Sequence, residues 1–352
     1  MRKTKELPEI DCTLFMKMSP SDNNNILKVR ELKKHFPVRS GFLQRVTGWV
    51  KAVNGVDFHI PEGKTLGLVG ESGCGKSTVA RMILRLLRPD AGEIIYRGQD
   101  ISAFTEKQMQ PFRKQIQIIF QDPYGSLNPR MTVGESIEEG LRKLNLARGR
   151  QRSARLEQLL AMVGMSADSA DRYPHEFSGG QRQRIGIARA LSVEPSLIIC
   201  DEPVSALDVS IQAQIINLLK DLQDQLGLSY LFISHDLNVV GYLCNHVAVM
   251  YKGYIMEHAP AEELFEDPRH PYTQSLLAAI PDTESRDKPD IALKEIETSD
   301  VPPPPDGCVF QNRCPHGDED CHQELYAFQQ VGDDHYVRCW KVKPEGGAQI
   351  VP

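Results

Sequence analysis

Apolar residues fall into short, separated runs along this chain, and their period changes from run to run. Near Ile26 the polar stretch SPSDNNN gives way to ILKVRELKKHF and then KAVNGVDFHI, which read as two strands. A glycine-containing excursion through 40–48 is expected to join them. TLGLVG, from Thr65 to Gly70, is a continuous apolar run closed by a Gly-rich turn and predicts a strand. Behind it, KSTVARMILRLL places Val79, Met82, Ile83, Leu86 and Leu87 at helical spacing. QIQIIF, Gln115 to Phe120, predicts another strand. Between Met131 and about His175 the period is helical again, through Ile137, Leu141 and Leu144 and then Leu156, Leu159, Leu160 and Val163. Leu197–Cys200 and Tyr230–Ser234 are apolar throughout, the pattern of central strands in a parallel sheet covered on both faces. HVAVMYKGYIMEHA predicts a hairpin turning at Lys252-Gly253, and AEELFED a helix ahead of Pro268. Residues 1–25 read as a mobile tail, and the charged, then proline-rich stretch 282–305 as a linker with polyproline II character.

Composition narrows the function classes. A chain of 352 residues has a soft prior of two structural units. Against 47 Asp and Glu stand 41 Lys and Arg, a net charge of −6, which argues against a dedicated nucleic-acid binder. No apolar run approaches the ~18–20 residues of a membrane span. The cluster Leu14–Met16 is too short for a signal peptide, so the expectation is a cytosolic chain whose membrane role comes through a partner. Eight cysteines in such a chain point to metal or catalytic use before disulfides.

Gly70-Glu71-Ser72-Gly73-Cys74-Gly75-Lys76-Ser77 fits G-x-x-x-x-G-K-[ST] between a predicted strand and a predicted helix. Glycines there let backbone N–H groups turn inward around phosphates, and the helix start adds its positive end. Lys76 supplies a point charge to the β- and γ-phosphate oxygens, and Ser77 a hydroxyl for Mg²⁺. The strand Leu197–Cys200 ends in Asp201-Glu202. Asp201 is the candidate Mg²⁺ ligand, through its water shell, and Glu202 the candidate base for the attacking water. An acidic pair ending a strand is weak alone; the phosphate loop upstream gives it meaning. Ser178-Gly179-Gly180-Gln181 opens a further predicted helix, a second anion-binding helix start in one chain.

Ser-Gly-Gly-Gln ahead of an Asp-Glu strand, downstream of a phosphate loop, resembles the ATPase subunit of an ABC transporter. Gln121 is placed like the Q-loop glutamine, Ser205-Ala206-Leu207-Asp208 like the D-loop, and His235 like the switch histidine. Phe36 is placed like the aromatic that stacks on adenine, where the family more often has Tyr. The resemblance covers about 26–262. Phe120–Pro129 is similar to the Q-loop of oligopeptide/dipeptide importer ATPases, and Arg269-His270-Pro271-Tyr272-Thr273 to their C-terminal motif. Tyr124-Gly125 resembles the F-type member of the ATPase pair in these importers. Phe177 replaces the commoner Leu.

The resemblance implies an α/β, RecA-like core with an antiparallel β part, a helical subdomain of about 113–185, and a C-terminal extension over 263–352. It implies ATP and Mg²⁺ as ligands, with Gly70, Ser72, Gly73, Gly75, Lys76, Ser77, Thr78 and Phe36 binding nucleotide, Ser77, Gln121 and Asp201 serving Mg²⁺, and Glu202, His235 and Gln121 in catalysis. Ser178–Gln181 would serve the nucleotide of a second, non-identical ATPase subunit across a head-to-tail interface, with Asp208 in the D-loop beside it. Two membrane permeases and an extracytoplasmic peptide-binding protein complete the implied assembly, at the cytoplasmic face of the inner membrane and without nucleic acid. Import of nickel, glutathione or antimicrobial peptides is an alternative. From another class, a soluble ABC ATPase in DNA repair or translation would need paired cassettes or a long coiled coil, which the sequence lacks.

Cys308, Cys314, Cys321 and Cys339 crowd a segment too small for its own core, which suggests a metal staple. Four Cys ligands suit a [4Fe–4S] cluster, and some peptide-importer ATPases carry one in this tail. The alternatives are zinc, with His316 and His322 as substitute ligands, and four reduced thiols in a flexible tail. Cys12, Cys200 and Cys244 read as buried or incidental thiols, and Cys74 as a possible alkylation site in the phosphate loop. Arg148, Arg150, Arg152 and Arg155 read as a solvated face or loop.

Overall fold

Alternation of side chains across one sheet organises the molecule. In a computed structural model, residues 24–41, 45–280, 307–322 and 326–343 are described. The residues ahead of 24, Cys12 among them, residues 281–306, which contain the expected linker of 282–305, and the side chain of His322 lie outside the described residues. Strands β1 (Asn25–Ser40) and β2 (Arg45–Pro61) form one long antiparallel hairpin. The excursion expected through 40–48 is therefore largely strand: Arg39 pairs with Val46 and Ser40 with Arg45. Ladder pairing satisfies the backbone there although the side chains are exposed, so no apolar alternation marks it.

Strand β3 (Thr65–Val69) is buried throughout and runs through the phosphate loop into α1 (Lys76–Ile83). Strands β4 (Ala91–Tyr96) and β5 (Gln99–Asp100) complete a four-stranded antiparallel sheet in the order β2-β1-β4-β5. Helix α2 (Glu106–Gln115) leads into β6 (Ile116–Ile119), which pairs in parallel with β7 (Leu197–Asp201). The helical layer, expected from about 113, thus begins beyond a strand of the main sheet. It comprises α3 (Val133–Lys143), α4 (Arg150–Met162) and α5 (Gly179–Leu191), packed through Ile137, Leu159, Leu160, Ile185 and Leu191. Within it Arg152 pairs with Glu138 at 2.8 Å and Arg155 with Glu194 at 3.2 Å.

Helix α6 (Val209–Leu226) returns the chain to β8 (Ser229–Ser234), and α7 (Leu237–Leu243) leads to β9 (His246–Tyr251). The hairpin from β9 to β10 (Tyr254–Pro260) turns at Lys252-Gly253, both with positive φ (42° and 89°), as expected. Then come α8 (Ala261–Glu266) and α9 (Pro271–Ala278). Strands β11 (Gln329–Gly332) and β12 (His335–Val337) extend the sheet beyond β10, with Glu257 opposite Val337. The eight-stranded order is β11-β12-β10-β9-β3-β8-β7-β6, parallel from β9 through β6 and antiparallel at the other end.

Alternate residues of the parallel strands feed two separate cores. Ile198, Cys200, Tyr230, Phe232 and Val249 face the helical layer and α5–α7. Leu197, Ile199, Leu231, Ile233 and Met250 face α1 and the β1–β2 hairpin. Burial on both faces explains why these strands read as unbroken apolar runs. No helix among the described residues is long and apolar enough to cross a membrane.

Candidate nucleotide site

The site grows out of the end of β3. At Gly70 φ is +147°, and a Cβ would lie 2.0 Å from the Met250 carbonyl oxygen, so only glycine lets the loop leave the sheet here. At Gly75 φ is +114°, and a Cβ would lie 2.2 Å from the Ala52 carbonyl oxygen. Lys76 is buried at the start of α1; its Nζ donates to the carbonyls of Gly70 (2.6 Å) and Glu71 (3.0 Å). Cys74 is also buried, and burial pushes its thiol pKa up, so it lacks the exposed thiolate that ready alkylation requires.

An open cavity of about 490 Å³ is lined by Ser72, Gly73, Gly75, Lys76, Ser77 and Thr78 of the phosphate loop and helix start. Gln121, Glu202 and His235 line the same cavity. They arrive from the ends of adjacent parallel strands: β6 delivers Gln121, β7 Glu202 and β8 His235. Ligand sites belong at that edge in such sheets. Ser77 Oγ donates to Asp201 Oδ1 at 2.9 Å. Burial raises the pKa of Asp201 and the neighbouring Glu202 charge adds to it, partly offset by the Ser77 bond.

Glu202 accepts from Gln121 Nε2 at 2.8 Å, and its Oε2 lies 3.4 Å from His235 Nδ1. Its backbone has φ of +48°, a costly conformation for a residue with a side chain, of order 1–3 kcal/mol. The Glu202 N–H donates to the Ile233 carbonyl at 3.0 Å, holding this turn against β8 while the carboxylate faces the cavity.

Other expected site residues lie elsewhere. Ser178 caps α5 in a reciprocal box: its Oγ accepts from Gln181 N–H at 3.3 Å, and Gln181 Oε1 accepts from Ser178 N–H at 3.0 Å. At Gly180 a Cβ would sit 2.4 Å from Ile211 Cγ2, so the glycine admits α6 at close range. Asp208 caps α6, its carbonyl accepting from the N–H groups of Ile211 and Gln212, each at 2.9 Å. None of Ser178, Gly179, Gly180, Gln181 and Asp208 lines the cavity. Phe36 also lies outside its lining, half-exposed on β1 opposite Val50, with Lys34 Nζ 5.7 Å from its ring.

Sequence reasoning missed the residues around Glu71, a variable position of the loop. The Glu71 N–H donates to Tyr272 Oη at 3.1 Å, and Arg313 Nη1 donates to both carboxylate oxygens at 2.8 and 2.9 Å. Tyr272 belongs to the Arg269–Thr273 motif, whereas nothing in the sequence marks Arg313.

Cys308, Cys314, Cys321 and Cys339 line a second cavity of about 200 Å³, together with His316. Burial pushes the Cys308 thiol up to about 11 and raises Cys314 and Cys339. Trp340 Nε1 donates to Cys321 Sγ at 3.4 Å. Among the described residues, no three or more His, Cys, Asp or Glu side chains are grouped so as to hold a metal ion. The four thiols thus share the lining of one cavity without forming a group that would hold a metal ion. Cys200 and Cys244 are buried thiols, as expected.

Residues 53–205 match the family described as ABC transporter, and 256–321 the oligopeptide/dipeptide transporter C-terminal region. The oligopeptide transport ATP-binding protein AppF of Bacillus subtilis is 51% identical over 325 residues, 92% of this chain and 99% of AppF. This chain belongs to the ABC transporter ATPase family. A putative peptide import ATP-binding protein of Brucella ovis is 48% identical to this ABC ATPase, covering 89% of this chain and 97% of that protein. Among solved structures, the ATP-binding cassette MJ0796, in a dimeric post-hydrolysis state with ADP and Pi, is similar at a TM-score of 0.58 and 28% identity. That match covers 67% of this chain and 98% of the cassette. CbiO1 of Clostridium perfringens, part of the CbiONQ transporter complex, is similar at 0.59 and 28%, covering 69% and 92%. The ABC ATPase fold accounts for the mixed sheet with its helices, and ATP with Mg²⁺ is the ligand pair of this family.

Proposed function

We propose that this ABC ATPase hydrolyses ATP to power peptide import through membrane permeases. The observation that carries the reading is the placement of Glu202, bonded to Gln121 and beside His235, in one cavity with Lys76 and Ser77. The peptide-import names of its relatives and the oligopeptide/dipeptide C-terminal match support the cargo class.

In this reading the β- and γ-phosphates lie against the loop amides of 70–77, where Lys76 exchanges its carbonyl partners for phosphate oxygens. Glu202 orients the attacking water and takes its proton; Gln121 and His235 hold the carboxylate toward the γ-phosphate. Asp201, Ser77 and Gln121 are the residues that would hold Mg²⁺, which when bound neutralises charge developing on the phosphates. The Ser77–Asp201 hydrogen bond supports that fit by pairing two oxygen donors at one spot. Phe36, exposed on β1, stacks on adenine in this reading.

Ser178, Gly179, Gly180 and Gln181 serve the nucleotide of a second ATPase subunit, with Asp208 beside that interface. Their position outside this chain's own cavity supports a role across subunits. The remaining assembly is a non-identical ATPase, two permeases and an extracytoplasmic peptide-binding protein, with this chain peripheral on the cytoplasmic membrane face. Its functional units are a nucleotide-binding part over 26–262, within it a helical layer, and an extension over 263–352. In the extension, the cavity lined by Cys308, Cys314, Cys321 and Cys339 is the site for a [4Fe–4S] cluster in a structural role. Four sulfur donors around one cavity suit it.

Glu202→Gln in the assembled transporter tests the catalytic reading: nucleotide binding is retained while turnover falls roughly 10²-fold or more. Near wild-type turnover would overturn the assignment. Iron and acid-labile sulfide in anaerobically purified chain test the cluster; stoichiometric zinc without iron would replace it with the alternative metal.

A further inference from the structure

Glu71 sits one residue after Gly70, and two side chains from the distal part of the chain converge on it. Tyr272, on α9, takes its backbone N–H through the phenol oxygen at 3.1 Å. Arg313 takes its carboxylate, with one nitrogen bridging both oxygens at 2.8 and 2.9 Å. Arg313 and Cys314 share a turn built on Phe310: both N–H groups donate to the Phe310 carbonyl at 3.0 Å. Phe310 is buried against the rings of Tyr251 (5.4 Å) and Tyr272 (5.3 Å). The Arg313 guanidinium lies 5.8 and 5.9 Å from the Tyr251 and Phe310 ring centroids.

A rim ion pair between two free side chains is worth little. Arg313 is instead immobilised, its side chain 18% exposed beside buried rings. The side chain of its partner Glu71 is 40% exposed, but the backbone that carries it is tied at its N–H by Tyr272. When Lys76 turns to phosphate, Glu71 is still held from two directions, at its amide by Tyr272 and at its carboxylate by Arg313. A loop fixed in this way loses less freedom when phosphates bind.

We propose that Arg313 is a positioning residue of the nucleotide site, fixing the phosphate loop through Glu71 so that the segment 307–322 sets nucleotide affinity. This rests on the reading that the loop binds ATP. Nothing in the family motifs of the nucleotide site includes this pair, since Glu71 occupies a variable position and Arg313 lies 242 residues away.

Calorimetric titration of the full chain with MgADP tests the proposal without the complication of turnover. Arg313→Ala is expected to weaken binding about three- to tenfold, and Glu71→Gln similarly. Because one nitrogen makes both bonds, Arg313→Lys restores most of the affinity. The double variant Arg313→Ala/Glu71→Gln binds no more weakly than the worse single one. Wild-type affinity in both single variants would overturn the proposal, as would a double variant that loses the sum of the two effects. Glu71→Gln alters no buried side chain, so it remains informative even where Arg313→Ala folds poorly. A wild-type chain that fails to bind MgADP would overturn the nucleotide-site reading itself, and the proposal with it.

Discussion

Ser77 and Asp201, 124 residues apart in the chain, are joined by a hydrogen bond of 2.9 Å. The bond joins the first turn of α1 to the end of β7 and brings two hard oxygen donors together beside the phosphate loop. Mg²⁺ prefers this kind of oxygen donor pair, completed by water and phosphate.

Asp201→Asn is therefore expected to remove Mg²⁺-dependent turnover by roughly a hundredfold or more while leaving metal-free nucleotide binding in place. Burial raises the pKa of Asp201, so protonation competes with metal at a higher pH than for an ordinary carboxylate. Raising Mg²⁺ should then shift the acid limb of the activity profile of the wild-type transporter downward. An acid limb insensitive to Mg²⁺ would count against Asp201 as the metal-side carboxylate.

Ser178 caps α5 away from this chain's own cavity. In the assembled transporter, Ser178→Arg in this chain alone should leave nucleotide photolabelling of this chain intact and cut overall turnover by about a hundredfold. Loss of photolabelling of this chain would instead place Ser178 at its own nucleotide.

His270 is fully buried, and burial holds its pKa down at about 4; its Nδ1 accepts from the Tyr272 N–H at 3.0 Å. Above about pH 6.5 the imidazole is neutral in both folded and unfolded chains, and it contributes no pH dependence. As pH falls from about 6.5 toward 4, the unfolded chain takes up a proton that the folded one refuses. Stability then drops by an amount on the order of 3 kcal/mol. Thermal unfolding at pH 7 and pH 5 measures the drop. His270→Asn, which keeps an acceptor at the cap, should show a smaller one; an equal drop in the variant would assign the acid sensitivity to other groups.

The parts legible in the sequence are those whose cause is local. Gly70–Ser77 needs backbone conformations and close approaches that only glycine permits, so the loop is written in consecutive residues. The turn at Lys252-Gly253 lies between two apolar runs, and the alternation of Leu197–Cys200 and Tyr230–Ser234 between two cores leaves each strand apolar throughout. Gln121, Glu202 and His235 could be placed together because each follows a buried strand, and the parallel sheet ends those strands at one edge.

Tertiary structure decided the rest. The β1–β2 hairpin extends past its apolar pattern because ladder pairing needs no buried side chain. The spacing of the four C-terminal cysteines fixes no geometry, and only folding brings them into the lining of one cavity. Arg313 is one arginine among many in sequence; it reaches Glu71 only because Phe310 packs against Tyr251 and Tyr272. Backbone sterics and periodicity act over a few consecutive residues and can be read from them. A contact between distant residues depends instead on the packing of everything between them, and no short stretch of sequence records that.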